Sequence, residues 1–454
     1  MKLPDGPRMP IWLQTIQRIA RPFEFFDELG KQYGDAFTLG DRNNSPTVYL
    51  SHPQAIKEIF SADPNLFESD HPIQAETIVG KYSVAMADGE VHKRQRRLLL
   101  PPFHGDRMRA YGQLICDITQ QVMARRTIGE TFLVRPVMEE ITLRVMLQAV
   151  FGLHQGPRYE QLRELFGSFL ETVDSTLKAS LLFIPALRWD LGSWSPWGKF
   201  VRLQKQIDQL LYSEIQERRQ SMDSERTDIL TLLLMARDEA GQPMTDVELR
   251  DQLMTLLFAG HETTASALGL ALHSLHYHPQ INSKLESELD TIGIDTDLSL
   301  IAKFPYLTAV CQETLRLYPV TAHTNPRKLK APLEIMGYQF DPGTVLIGLS
   351  YLTHQREDLY PQPKQFNPER FLERQFAPYE YLPFGGGYRG CIGMAFAQFE
   401  MKLVLATILS GWQLALVEQR PIKVVRHTAT YAPPSSLRMV VTGQRQSQKV
   451  LSTV

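Results

Sequence analysis

Three cysteines in 454 residues, Cys116, Cys311 and Cys391, are too few and too scattered for a disulfide framework or a CxxC metal site, and a reducing, intracellular setting fits. Charge of one sign is not in excess either. The formal net charge is -2 and the pI about 6.7, so there is no global basic field to argue for nucleic acid. The opening MKLPDGPRMPIWLQTIQRIA holds no apolar run long enough for a signal-peptide core or for a membrane span, which needs roughly 20 residues. The expected location is therefore the cytoplasm, with peripheral contact to a membrane left open. There is no low-complexity tract and no repeat of about 20 to 50 residues, and Pro and Gly punctuate the chain without gathering into a linker.

What is present is ordinary globular composition, 43% hydrophobic and 22% charged. Length alone allows two or three domains of about 150 residues, but the continuous pattern favours one, residues 1–454. Helical periodicity dominates the middle. Short β-like pieces occur at AFTL and TVYLS, at LEIMGYQF and GTVLIGLS on either side of the turn Asp341-Pro342-Gly343, and as a candidate closing hairpin in TATYAPPSSLRMVVTG. The fold class expected is mainly α with small β-sheets. Its longest helix is readable from its ends: Thr245 and Glu248 form a capping box, and an apolar pattern from Leu249 through Leu272 runs on to Pro279. Such a helix would be about 50 Å long and central to the fold.

Two passages carry chemistry. In mid-helix, Ala259-Gly260-His261-Glu262-Thr263-Thr264 interrupts the apolar run with a glycine, a carboxylate and two hydroxyls. Hydroxyls there can bond back to carbonyls four residues earlier, and a buried carboxylate is costly unless paired or used. The second passage is Phe384-Gly385-Gly386-Gly387-Tyr388-Arg389-Gly390-Cys391-Ile392-Gly393, followed by the helical stretch MAFAQFEMKLVLATILSGW. A lone intracellular cysteine is ordinarily a small buried apolar residue. At a helix N-terminus with Arg389 two residues away, it becomes a candidate thiolate, and the glycines allow close approach of a flat cofactor.

This ten-residue pattern resembles the cysteine loop of the cytochrome P-450 family, Phe-x-x-Gly-x-Arg-x-Cys-x-Gly, at Phe384, Gly387, Arg389, Cys391 and Gly393. Other family motifs follow in order. Glu313-Thr314-Leu315-Arg316 is similar to the family's Glu-x-x-Arg helix, and Pro368-Glu369-Arg370-Phe371 to the segment supplying a third partner, Arg370. The resemblance implies one domain built around haem b, with Cys391 as iron ligand and the long helix crossing the cofactor. It further implies that Glu262 and Thr263 deliver protons toward bound O2. ADGEVHKRQRRLLLPPF is similar to the family helix whose His92 and Arg96 bind a haem propionate, and Arg327 resembles a further propionate arginine. Arg389 joins the cofactor-binding set. Lys93, Arg94 and Arg97 are read either as a basic surface or as a dock for an acidic electron carrier.

The implied activity is a monooxygenase acting on an apolar small molecule: a fatty acid, a terpenoid or a steroid-like compound. Only 63 residues follow Cys391 (454 less 391), so electrons are expected from a separate ferredoxin or flavodoxin with its reductase. LLFIPALRWDLGSWSPWGKF, at the position of the family's lid over the substrate entrance, could touch substrate or membrane, or pack as an ordinary loop. Glu262 and Thr263 count against a haem-thiolate isomerase, and the lack of arginine at 259–264 counts against a peroxide-driven hydroxylase. A gas sensor or electron carrier needs neither the proton relay nor a lid.

Overall fold

In a computed structural model of the chain, residues 3–42, 45–70, 73–103, 105, 107–173, 190, 192, 194–223, 225–291, 297–427 and 430–445 are described. The expected long helix is Asp246–Tyr277, 32 residues and about 48 Å at 1.5 Å per residue. Both arms of the capping box form: Thr245 Oγ1 accepts from the Glu248 amide at 3.2 Å, and the Thr245 amide donates to Glu248 Oε2 at 2.8 Å. The helix ends at His278, just before Pro279 opens the next helix. Apolar on most faces, it packs on Val134–Phe151 and on Met394–Gly411, and together these build the main core. Met394–Gly411 is long and apolar enough to cross a membrane, but 67% of it is buried inside the protein, where its apolar surface is spent on the core.

Around this helical body lie small sheets. The largest has five strands in the order Ala36–Arg42, Ser45–Leu50, Val345–Gly348, Arg327–Leu329, Phe67–Ser69. The pieces AFTL and TVYLS pair as an antiparallel hairpin. Two other sheet expectations need correction. LEIMGYQF is a hairpin by itself, Leu333–Ile335 against Tyr338–Phe340, because Met336 and Gly337 both take positive φ (48° and 78°), as a tight two-residue turn requires. The Asp341-Pro342-Gly343 turn instead hands the chain to Val345–Gly348, which pairs parallel to Ser45–Leu50. The final stretch is likewise not one hairpin. Thr430–Ala432 pairs with Val425–His427, whereas Arg438–Gln444 pairs with Trp412–Leu416 and Thr131–Leu133. Pro433 and Pro434, between the two strands, cannot donate to a ladder and so separate the sheets. Of the lid segment, residues 181–189, 191 and 193 lie outside the described residues.

Candidate active site

Cys391 lies just ahead of the helix Met394–Gly411, after a short turn at Gly387–Arg389. Its amide donates to Phe384 O at 3.0 Å, closing the loop into a tight bulge. Two glycines are required for different reasons. Gly387 has φ 63°, and a Cβ on Gly386 would strike the Phe60 ring at 2.1 Å. The thiol is solvent-accessible yet set among protein atoms. Burial pushes its pKa up, against the Gly393 amide and the Arg96 charge, which pull it down. The helix start thus contributes as expected, through the Gly393 N–H, but the helping cation is Arg96, whose Nη1 also donates to Gly390 O at 2.6 Å. Arg389 is turned away to an ion pair with Asp88 and to the carbonyls of Ala87 and Val84. It fastens the loop to the start of the helix Gly89–Leu99.

Arg327 is buried at 3% exposure, and among the described residues it makes no ion pair. It donates to Ile59 O at 2.6 Å and to Gly386 O at 3.3 Å, and desolvation lowers its pKa to about 10. Arg96 also lacks an ion pair among the described residues, and burial lowers its pKa too. His92 is buried with its ring edge-on to Tyr388 at 5.8 Å. Tyr388, which the motif leaves unspecified, is the hub: Arg327 stands 4.8 Å over its ring and Arg389 5.5 Å. Two desolvated arginines without carboxylates, beside an accessible thiol, form a donor set that fits a flat cofactor with anionic side arms. Arg94, by contrast, is tied to Asp238 and Glu248, and Lys93 and Arg97 face Glu90 and Glu239. Each cation of that stripe thus has a carboxylate within reach, Lys93 and Arg97 in exposed pairs.

In the central helix, Leu256, Ala259, Gly260 and Thr263 are less buried than the surrounding turns. Their spacing of three and four residues puts them on one face. Thr263 Oγ1 donates to Ala259 O at 2.7 Å, the anticipated back-bond. Glu262 points elsewhere. It is 6% exposed, and its Oε1 accepts from Thr430 Oγ1 and from His427 Nδ1, the latter at 2.9 Å. A carboxylate acceptor fixes the proton on Nδ1, while Arg135 Nη2 stands against both ring nitrogens and its Nε holds Glu139 at 2.7 Å. His261 is driven by burial to a pKa of about 4 and contacts Thr142 at 2.9 Å, so it belongs to the core. His427, Thr430 and Tyr388 were not singled out in the sequence. The first two stand about 165 positions from Glu262 with no motif around them.

Behind the loop, the Glu-x-x-Arg motif forms the anticipated network in full. Arg316 donates to Glu313 through Nε (2.6 Å) and Nη2 (2.8 Å), and Arg370 Nε reaches the same carboxylate at 3.2 Å. Glu313 and Arg316 are wholly buried, and Arg316 also donates to His354 O at 2.7 Å.

Comparison with known proteins bears on the family and the fold. A family model described as Cytochrome P450 matches residues 3–440. A Mycobacterium tuberculosis (strain ATCC 25618 / H37Rv) protein provisionally named cytochrome P450 135B1 is 36% identical over 91% of this chain and 86% of its own length. Its relative provisionally named cytochrome P450 135A1, from the same strain, is 36% identical over 89% and 87%. Among solved structures, retinoic acid bound cyanobacterial CYP120A1 superposes with a TM-score of 0.84 at 27% identity, covering 98% of this chain and 100% of that one. A thiol-bearing loop, two carboxylate-free arginines and the family match over nearly the whole length lead to one conclusion: the chain belongs to the cytochrome P450 family, the haem-thiolate monooxygenases that carry haem b.

Proposed function

We propose that this monooxygenase inserts one oxygen atom from O2 into an apolar substrate, a fatty acid, terpenoid or steroid-like molecule, using electrons from a separate ferredoxin or flavodoxin and its reductase. In this reading residues 1–454 form one haem domain in the cytoplasm, with no nucleic-acid partner. The observation that carries it is the exposed Cys391 on a loop to which Arg96 and Arg327 donate at Gly390 O and Gly386 O, two desolvated arginines with no ion pair among the described residues. Cys391 would ligate the iron and the arginines, with His92, would hold the propionates, while Arg389 acts by holding the loop against Asp88. When bound, haem supplies the oxygen activation and, through a thiolate ligand, the electron push that favours O–O cleavage. The protein's own part is proton handling: Thr263 presents a hydroxyl on the open face of the helix, and the Glu262 carboxylate, held by His427 and Thr430, would pass protons from solvent toward it. The retinoic acid in the cyanobacterial structure lies within the proposed substrate range.

The first test is the carbon-monoxide difference spectrum of the reduced protein. A strongly red-shifted Soret band is expected for the wild type and is lost in Cys391→Ala; a histidine-like band in the wild type would overturn the assignment. In Thr263→Ala, electron consumption should continue while product falls by about tenfold or more, with peroxide making up the balance. Unchanged coupling would remove the role given to Thr263.

A further inference from the structure

The helix Ile11–Ala20 is built inside out. A period of 3.6 residues gathers Ile11, Trp12, Ile16 and Ile19 on one half of its circumference and Gln14 and Gln17 on the other. A surface helix ordinarily turns its apolar stripe to the core. Here the residue buried in it is Gln14, at 4% exposure, which accepts from the Gly40 amide at 2.8 Å and donates to Met9 O at 3.0 Å. Ile11, Trp12 and Ile16 are 50%, 64% and 50% exposed. The polar side thus holds the helix to the strand Ala36–Arg42, and the apolar side faces out.

Single exposed apolar side chains are ordinary, but three large ones on one face of one helix form a ridge. A second copy of the chain fits it poorly. The ten-residue helix is about 15 Å long and about 10 Å wide, a footprint of roughly 150 Å², against about 800 Å² per partner in a stable dimer. A bilayer sets no such minimum: an amphipathic helix lies in its interface plane, with tryptophan at the headgroup level and aliphatic side chains in the acyl boundary. Charge points the same way. Residues 1–21 carry four cations, Lys2, Arg8, Arg18 and Arg21, against one acid, Asp5, in a chain whose formal net charge is -2. Arg8 is exposed, Arg18 donates to the Tyr49 hydroxyl, and Arg21 is paired with Glu28. On the next helix, Pro22–Tyr33, Asp27 is held by Lys364 and Glu24 is exposed.

We propose that Ile11, Trp12 and Ile16 form a lipid-docking face, on which the helix Ile11–Ala20 lies in the interface of an anionic bilayer with Arg8 against the headgroup phosphates. The attachment is peripheral and reversible, since only three partly exposed side chains enter the lipid. It needs neither cofactor nor substrate and stands apart from the oxygenation chemistry.

The test is co-sedimentation of the full, haem-loaded chain with vesicles of equal parts phosphatidylcholine and phosphatidylglycerol. The wild type should pellet with them, and Trp12→Ser combined with Ile16→Ser should bind about tenfold or more weaker. Arg8→Gln should bind about fivefold weaker to these vesicles and equally to phosphatidylcholine alone. The replaced side chains are exposed, so melting temperatures should match the wild type. A second measurement avoids the double variant: bromine-labelled lipid should quench tryptophan emission in the wild type and not in Trp12→Phe, which keeps an apolar ring. Wild-type protein left in the supernatant, undiminished binding of the double variant, or quenching that persists in Trp12→Phe overturns the proposal. So does loss of binding in Trp194→Ser with the double variant unaffected, which would move the contact to the lid, where Trp194 is 87% exposed. A dimer by analytical ultracentrifugation that the double variant dissolves would give the face to a second copy, and the lipid assignment would fall.

Discussion

Glu400 shows how one residue can carry a pH dependence. It lies fully buried in the helix after the cysteine loop, both carboxylate oxygens lack a hydrogen-bond partner among the described residues, and burial holds its pKa well above the carboxylate range. With the folded pKa above the unfolded one, the folded state keeps a proton that the unfolded state releases. Stability is therefore complete below the unfolded pKa and declines as pH climbs toward the folded value. Glu400→Gln removes this dependence. It should match the wild type near pH 4 and gain about 1.4 kcal/mol over it for each pH unit above the ordinary carboxylate range, until the folded pKa is reached. Melting curves of both proteins at several pH values check this. Glu313 is the opposite case, a buried carboxylate fully paired with Arg316 and Arg370. Glu313→Gln leaves two buried cations with a neutral partner and should cost about 3–5 kcal/mol, seen as a lower melting temperature and poor haem incorporation.

At the scale of elements, legibility followed the range of the interactions. The helix Asp246–Tyr277 was readable because its cap and its apolar period are local. The Glu313, Arg316 and Arg370 network was readable because its motifs are local, although its members come together across the fold. The sheet errors came from partners chosen at long range: Val345–Gly348 prefers Ser45–Leu50 to its own neighbour in sequence. The surroundings of Glu262 were illegible for the same reason. His427 sits on a three-residue strand that no periodicity announces, and only the packing of that hairpin on the central helix brings it to the acid. As a positioning residue, His427 has a specific expected signature. His427→Ala should lower coupling and displace the pH profile of product formation while leaving substrate affinity unchanged, and His427→Gln, which keeps a donor for Glu262, should recover much of the coupling. A pH profile that moves in neither variant would leave His427 a purely structural role.

For the whole molecule, the proposed cofactor site is an assembly point. The helix Gly89–Leu99, the strand Arg327–Leu329, Phe60 and the cysteine loop meet there, and two of the cations they contribute are desolvated with no ion pair among the described residues. Binding a dianionic cofactor should therefore stabilise the chain well beyond the simple mass-action gain of a neutral ligand. Haem-free protein should melt at a lower temperature than the loaded form, and the gap should shrink in Arg327→Met, which removes one unbalanced charge. Differential scanning calorimetry of the four samples checks this, and an unchanged gap would separate Arg327 from cofactor binding. The loop was legible from its motif, but the charge balance around it was not: nothing in the sequence tells that Arg389 pairs with Asp88 while Arg327 has no ion pair among the described residues.

The alternation of the hairpin Val425–Ala432 has a consequence for how such an enzyme can change over generations. Residues 427 and 430 turn toward Glu262, and residues 426 and 431 turn away from it. A lineage can therefore vary what lies on one side of the ribbon without first disturbing the partners of the acid on the other.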